Sequence, residues 1–448
     1  MQQKYNILYI HSHDSGRYVQ PYGYSVNTPN IQELAEDGVL FRKAFSGAPQ
    51  CCPSRAALLT GQAAHSCGQF GLVNRGFELR DRHKHIANYL KELFYSTQLI
   101  GVQHEVWDPI TCGYMDWINP INYSKPKPIE EMDHDTAQNA AKFLLGSPSK
   151  PFFLSVGFAS THRDFSTKNI LDDPRYCAPP LPLPDTHEIR LDFASYKTSA
   201  RKLDSYIGTV LNALKKSKLY ENTLIICTTD HGIAFPKMKC NLTDHGIGVM
   251  LIMRGPHSFR GGKVIDAIIS HIDIFPTICD LTGVDHPNWL QGKSLIPVVG
   301  GKVSEINEAI FAEQSFHCAY EPMRTVRTKK WKYIKRFYDF NRPMLSNIDN
   351  SKSKDYLIEN GFSQKEVVQE ELYDLIDDPS EANNKINDPR LKDICKSMRE
   401  TLMNWMKETN DPLLDGPIPI PENGFACDKN DLSPYDIWDR VEKPDGYG

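Results

Sequence analysis

Four short apolar runs, each cut off by a polar turn that carries histidine or aspartate, constrain this chain more than any other feature. Asn6-Ile7-Leu8-Tyr9-Ile10 runs into His11-Ser12-His13-Asp14-Ser15-Gly16, and Thr97-Gln98-Leu99-Ile100-Gly101-Val102 into Gln103-His104. Phe152-Phe153-Leu154-Ser155-Val156-Gly157-Phe158, introduced by Pro151, leads to Ser160-Thr161-His162-Arg163. Asn222-Thr223-Leu224-Ile225-Ile226-Cys227-Thr228-Thr229 ends at Asp230-His231-Gly232. Runs of this length bounded by turn residues read as buried strands. Between them lie stretches with helical spacing: residues 28–35, with Thr28 as cap and Pro29 at the first position, 86–94, 135–145, and a long amphipathic stretch over 192–219. Residues 246–253 read as a further strand and 271–283 as a helix closed by Gly283. Strands alternating with helices imply the α/β class, with a large, mostly parallel mixed sheet flanked by helices. Open sheets of this kind hold ligands at the carboxyl ends of their strands. His13, Asp14, His104, His162, Asp230 and His231 are therefore candidate site residues. Each also has a plainer reading, Asp14 as the cap of its own turn and the histidines as hydrogen-bonded structural residues.

A second feature stands apart from the strands: Cys51-Cys52-Pro53-Ser54-Arg55-Ala56-Ala57-Leu58-Leu59-Thr60-Gly61. Pro53 suits the first turn of a helix, where its missing N–H costs nothing, and Ala-Ala-Leu-Leu continues the helix well. Cys51 then lies just before a helix N-terminus, where free N–H groups and the helix dipole favour a bound oxyanion or a thiolate. A small buried cysteine capping a core helix is the alternative.

At 448 residues the chain is long enough for two or three units, or for one large domain with an appendage. Its C-terminal part differs in texture. Residues 331–338 alternate charged and apolar side chains like an exposed antiparallel strand, 371–375 look like its partner, 391–407 read as a last helix, and beyond Asp411 the tail is rich in Pro, Gly and Asp. We divide the chain into a catalytic unit over 1–315 and a C-terminal unit over 316–448. The Pro-rich segment 178–184 reads as a long surface loop near the site. No apolar run has the length of a membrane span, and a net charge of −5 offers no broad basic field, so neither a membrane nor a nucleic acid is expected as a partner. The first residues pass into a strand without an apolar signal segment, which leads us to expect a cytoplasmic protein, or a periplasmic or secreted one if the chain has been trimmed. Eleven cysteines without a repeating frame argue against a disulfide scaffold. Asn122-Tyr123-Ser124 and Asn241-Leu242-Thr243 are formal glycosylation sequons.

The string C-x-P-S-R followed by A-x-L-x-T-G resembles the signature of the type I, formylglycine-dependent sulfatases of the alkaline phosphatase superfamily. His162-Arg163, the run from Thr229 to Pro236 and the string Asp273-Ile274-Phe275-Pro276-Thr277-Ile278-Cys279-Asp280-Leu281-Thr282-Gly283 are similar to the layout of heparan N-sulfatases. The resemblance implies an alkaline-phosphatase-like sandwich with a smaller C-terminal antiparallel sheet and a helix. It also implies hydrolysis of a sulfate ester or sulfamate on a sugar. Cys51 would be converted to formylglycine by a formylglycine-generating or sulfatase-maturating enzyme, and Arg55 would orient it. Asp14, Asp230 and His231 would hold one divalent metal together with residue 51, Ca2+ being expected and Mg2+ or Mn2+ the alternatives. His104 would be the base that releases sulfate from the hydrate, while His162 and Lys239 would contact the sulfate and assist the leaving group. Two departures accompany the match. His13-Asp14 stands where many members have Asp-Asp, which adds His13 to the metal candidates, and Gly101-Val102-Gln103-His104 lacks the lysine of the usual Gly-Lys-x-His. Arg17, Arg163 and His245 are candidates to replace that charge. Rival readings are a phosphonate monoester or phosphodiester hydrolase, a sulfated-glycan-binding protein without turnover, and a zinc site built on Cys51, Cys52 and Cys67.

Overall fold

Strand β1 (Asn6–Ser12) lies at the middle of a nine-stranded sheet, and its alternation explains the layers on either side. Ile7 and Tyr9 point into one apolar core, Leu8 and Ile10 into another. The computed structural model describes residues 4–120, 127–149, 151–165 and 170–442; the sequon at Asn122 lies outside them. The other strands of this sheet are β2 (Val39–Phe45), β3 (Ser96–Gly101), β4 (Asp116–Ile118), β5 (Phe152–Gly157), β6 (Thr223–Thr229), β7 (Gly248–Val249), β8 (Leu251–Arg254) and β9 (Lys263–Ser270). Their order is β4-β3-β5-β1-β6-β8-β2-β7, with β9 also paired to β2. The five strands from β4 to β6 are parallel; β8 is antiparallel to both β6 and β2, so β2 runs in the direction of the central strands.

One face is covered by the helices Ile129–Leu145 and His187–Lys216, which contribute Ala137, Ala140, Leu144, Leu203, Ile207, Val210 and Leu214. The other is covered by Cys51–Thr60, Ile86–Glu92 and Ile274–Thr282. Helices on both faces of a mostly parallel sheet give the three-layer α/β arrangement expected above. Among the described residues no helix is long and apolar enough to cross a membrane.

The second sheet is antiparallel throughout, in the order β10 (Ala309–Phe316), β11 (Tyr320–Thr328), β12 (Trp331–Arg336), β13 (Glu370–Asp374). One face carries the helix Lys392–Glu408 through Val326, Tyr333, Leu372, Met398 and Leu402. The other packs on the large sheet's edge, where Ile310, Ala312, Met323 and Ile334 meet Phe45, Leu242 and Ile268.

The structure corrects three local expectations. β12 is interior, not exposed: Lys332 is fully buried, its ammonium paired with Asp244 and Glu381, so its charge reports an internal ion pair. Thr28 does not cap its helix; its hydroxyl accepts from the Gln20 N–H, and the free amides of Asn30 and Ile31 donate instead to the Asp204 carboxylate on the long helix. The segment read as one strand over 246–253 is divided, the short helix Asp244–Ile247 running into β7 and then β8.

Candidate active site

Because β3, β5, β1 and β6 are adjacent and parallel, the turns that follow them open side by side. His104 follows β3, His162 follows β5, His13 and Asp14 follow β1, and Asp230 and His231 follow β6. β2 points the same way, and residues 46–50 carry the chain from its end to the helix Cys51–Thr60. Cys51 is the first residue of that helix, all ten residues of which are buried.

Asp14 takes a positive φ of 50°, and its backbone N–H donates to Asp230 Oδ1 at 2.8 Å, which ties the two turns together. Asp14 Oδ2 accepts from Lys239 Nζ at 3.0 Å, leaving Oδ1 turned toward His231 Nε2 at 3.2 Å and the Cys51 thiol at 3.9 Å. Asp230 Oδ1 also accepts the His231 N–H, and Oδ2 accepts from Arg55 Nη2 at 2.8 Å. Arg55 is locked by Ser12 O and by His11 Nδ1, and its neighbour Ser54 donates to the Asp230 carbonyl. His231 donates from Nδ1 to Gly232 O at 2.9 Å, which turns Nε2 toward Cys51 Sγ at 3.3 Å. The ligand-type atoms of His13, Asp14, Cys51 and Asp230 lie within 4.8 Å of one another. His104 joins His13 and Cys51 within the same reach, with its ring 4.8 Å from that of His13, and the His162 ring lies 5.7 Å from His13.

All nine candidate residues are thus brought together, but the expected thiolate is not supported. Burial raises the Cys51 thiol well above its ordinary range; the Lys239 ammonium opposes this, and Asp14 and Asp230 add to it. Burial alone would raise the Asp230 carboxyl, but His231, Arg55 and His13 hold it well below the carboxylate range. Burial, then Arg55 and His162, push His104 down to about 3, so its ring is neutral near pH 7.

None of the proposed stand-ins for the missing lysine is available. Arg163 grips Asp192 with both terminal nitrogens at 2.8 Å, Arg17 donates to Asp244 O, and His245 is engaged by Tyr18 and Ser380. Cys52 and Cys67 turn elsewhere, toward Val73 N and Ala64 O.

Three residues of the site had no motif to reveal them. Asp349, from the loop after β12, lies 3.2 Å from Lys239 Nζ, so the lysine bridges Asp14 and Asp349. Burial would lower the Lys239 ammonium, but these two carboxylates hold it well above the usual range. His11 fixes Arg55. His317, buried between β10 and β11, is a third, its imidazole pushed well below the ordinary range by burial and by the Lys239 ammonium.

Carboxylates, imidazoles and two fixed cations thus converge on one buried cysteine at the carboxyl edge of the large sheet, a setting suited to hydrolysis of an anionic ester. The sulfatase family signature matches residues 5–284, and the chain belongs to that family of sulfuric ester hydrolases. A second signature, N-sulphoglucosamine sulphohydrolase, C-terminal, matches residues 238–360. The chain is 29% identical to human N-sulphoglucosamine sulphohydrolase over 94% of this chain and 93% of the relative. It is 28% identical to an ulvan-active sulfatase of Formosa agariphila over 96% and 86%. Among solved structures, a Bacteroides thetaiotaomicron protein described as a putative sulfatase superposes with a TM-score of 0.74 at 22% identity, covering 97% of this chain and all of the other. A phosphonate monoester hydrolase of Agrobacterium radiobacter shares the fold, with a TM-score of 0.71 at 20% identity, covering 95% and all of the other.

Proposed function

We propose that this chain removes sulfate from a sugar, as an ester or a sulfamate, with residue 51 supplying the nucleophile after conversion of Cys51 to formylglycine. The observation that carries the reading is the seat of Cys51: first in its helix, buried, with its sulfur 3.9 Å from Asp14 Oδ1 and 3.3 Å from His231 Nε2 and within 4.8 Å of ring nitrogens of His13 and His104. The similarity to human N-sulphoglucosamine sulphohydrolase along nearly the whole chain supports a sulfated amino sugar as the substrate class.

The donor set fits a divalent cation: the Nδ1 of His13 is buried without a hydrogen-bond partner 3.3 Å from Asp230 Oδ2, and a cation beside them would satisfy both. Bound there by Asp14, Asp230, His231 and His13, such an ion would add positive charge beside the sulfuryl group as it transfers. Lys239 places a second positive charge at the same wall, and Arg55 holds Asp230 in place. Neutral His104 is ready to take a proton from residue 51 when sulfate is released. His162 donates from Nδ1 to Arg163 O, which leaves Nε2 to carry a proton to the departing oxygen or nitrogen. Every residue from Cys51 to Arg55 is buried, so a maturating enzyme would have to act before this helix docks.

The test combines mass spectrometry of the Cys51 peptide with sulfate release from N- and O-sulfated glucosamine and from aryl esters. Aldehyde or its hydrate at position 51 is expected, with Cys51→Ala losing at least roughly a thousandfold in rate, as expected for loss of a nucleophile. Only free thiol in a fully active preparation would overturn the formylglycine step. Faster cleavage of aryl phosphate than of aryl sulfate would favour the phosphodiesterase alternative.

A further inference from the structure

We infer that this site selects a first-row transition dication, of the Mn2+ to Zn2+ kind, in preference to Ca2+, and that His13 sets the choice. The inference rests on the sulfatase reading only for the presence of a cation.

His13 is 2% exposed: its backbone N–H donates to Ser160 O at 2.9 Å, and its ring is packed edge-on to those of His104 and His162. Its Nδ1 is buried, makes no hydrogen bond, and lies 3.3 Å from Asp230 Oδ2. His231 Nε2 lies 3.7 Å from that same oxygen and 3.2 Å from Asp14 Oδ1, so two imidazole nitrogens border the acids.

The carboxylates are limited in the opposite sense. Asp14 Oδ2 is held by Lys239, and Asp230 Oδ1 by the N–H groups of Asp14 and His231, so each acid turns a single oxygen inward, Asp14 Oδ1 and Asp230 Oδ2, the latter with one lone pair already taken by Arg55 Nη2. Apart from residue 51, the protein donors are therefore two nitrogens and two oxygens. Ca2+ takes about six to eight oxygen ligands at about 2.3–2.6 Å, commonly with bidentate carboxylates. This ring supplies neither the number nor the oxygens. Imidazole with monodentate carboxylate is the donor mixture of manganese, iron, cobalt and zinc sites. Replacing the first acid of the usual pair by His13 also removes one negative charge from the site, just as Val102 removes one positive charge at the place of the usual lysine.

The full-length protein, produced in medium containing Ca2+, Mn2+ and Zn2+ and purified without chelator, should carry a transition metal by elemental analysis and little Ca2+. Apoprotein titrated with Co2+ should develop visible d–d bands and bind Co2+ more tightly than Ca2+. In His13→Asp the ratio of Co2+ to Ca2+ affinity should fall by roughly tenfold or more, and His13→Ala should weaken Co2+ without strengthening Ca2+. The titrations are repeated in a Cys51→Ala background, so that an unconverted thiol does not itself attract the softer ion. Stoichiometric Ca2+ in the purified protein, or an affinity ratio in His13→Asp equal to that of the wild-type chain, would overturn the inference. Sulfate release by a Ca2+-loaded chain would sink it while leaving the sulfatase reading intact. A transition-metal-loaded, converted chain that released no sulfate would sink that reading and leave the choice of ion standing.

Discussion

Two buried clusters of histidine and acids occur in this molecule, and they differ in what stands between the acids. In the active site, His13, Asp14 and Asp230 gather around Cys51. Under the small sheet, His65, Glu313 and Asp411 make a group of similar composition. There the His65 ring nitrogen and backbone N–H both reach Glu313 Oε1, at 2.8 and 2.9 Å, and the Arg324 guanidinium lies between Glu313 and Asp411, 2.5 and 3.0 Å from the latter's two oxygens. The charges close on themselves. In the active site the organic cations stay on the flanks, Lys239 on one oxygen of Asp14 and Arg55 on one of Asp230, and the buried Nδ1 of His13 faces Asp230 Oδ2 without a hydrogen bond. Composition alone therefore does not mark a metal site; what marks it is a buried imidazole nitrogen left unpaired against a carboxylate.

The largest effect should come from opening the closed cluster. Arg324→Met would leave Glu313 and Asp411 as neighbouring buried acids without their counter-charge, and breaking a buried network in this way costs about 3–5 kcal/mol. Denaturant unfolding of the variant should show that loss. A loss below about 1 kcal/mol, the size of an exposed ion pair, would mean that the cluster is not closed in solution. Next comes removal of the ion from the open cluster. A cation at a hundred times its dissociation constant stabilises by about 2.7 kcal/mol. Chelation should lower the unfolding temperature of the wild-type chain and of His65→Gln, but not of Asp14→Ala. Chelator sensitivity lost in His65→Gln would break the distinction between the clusters.

The open cluster is legible in the sequence because each of its parts sits at the end of a local pattern. An apolar run followed by a polar turn marks β1, β3, β5 and β6, and parallel packing then brings the turns together without further information. β2 escapes such a reading for a physical reason: Arg42 and Lys43 interrupt its alternation where a register shift between Phe41 and Lys43 turns side chains outward. β9 escapes it because its first half is largely exposed and only its second half is buried. Lys332 reads as a surface charge on an alternating strand, whereas burial on both faces of the small sheet makes it, like Arg324 on β11, the partner of distant acids. Asp349 and the whole closed cluster depend on pairings across long stretches of sequence, and no local periodicity records those. The thiolate expected at Cys51 fails similarly: the helix end is visible, but the burial that raises the thiol, and the carboxylates of Asp14 and Asp230 that add to it, come from other parts of the chain.

The smallest effect is one of acid pH, and it tests whether Glu313 is charged within the closed cluster. Burial alone would raise its carboxyl, but His65 and Arg324 outweigh burial and lower it from 4.5 to about 2. A folded-state value below the unfolded one means that the unfolded chain takes up protons first as pH falls. The stability contributed is therefore complete above the unfolded value of 4.5 and is lost as pH drops toward about 2. By about pH 4 the loss amounts to about 1 kcal/mol, a small part of the whole. Glu313→Gln cannot lose this share, so it should start less stable at neutral pH, because Arg324 loses a counter-charge, and then decline less than wild type between about pH 6 and about pH 4. Denaturant midpoints for both proteins at the two pH values measure the difference in slope. Parallel declines would show that Glu313 is already protonated in the folded chain, and that the closed cluster holds one negative charge fewer than its geometry implies.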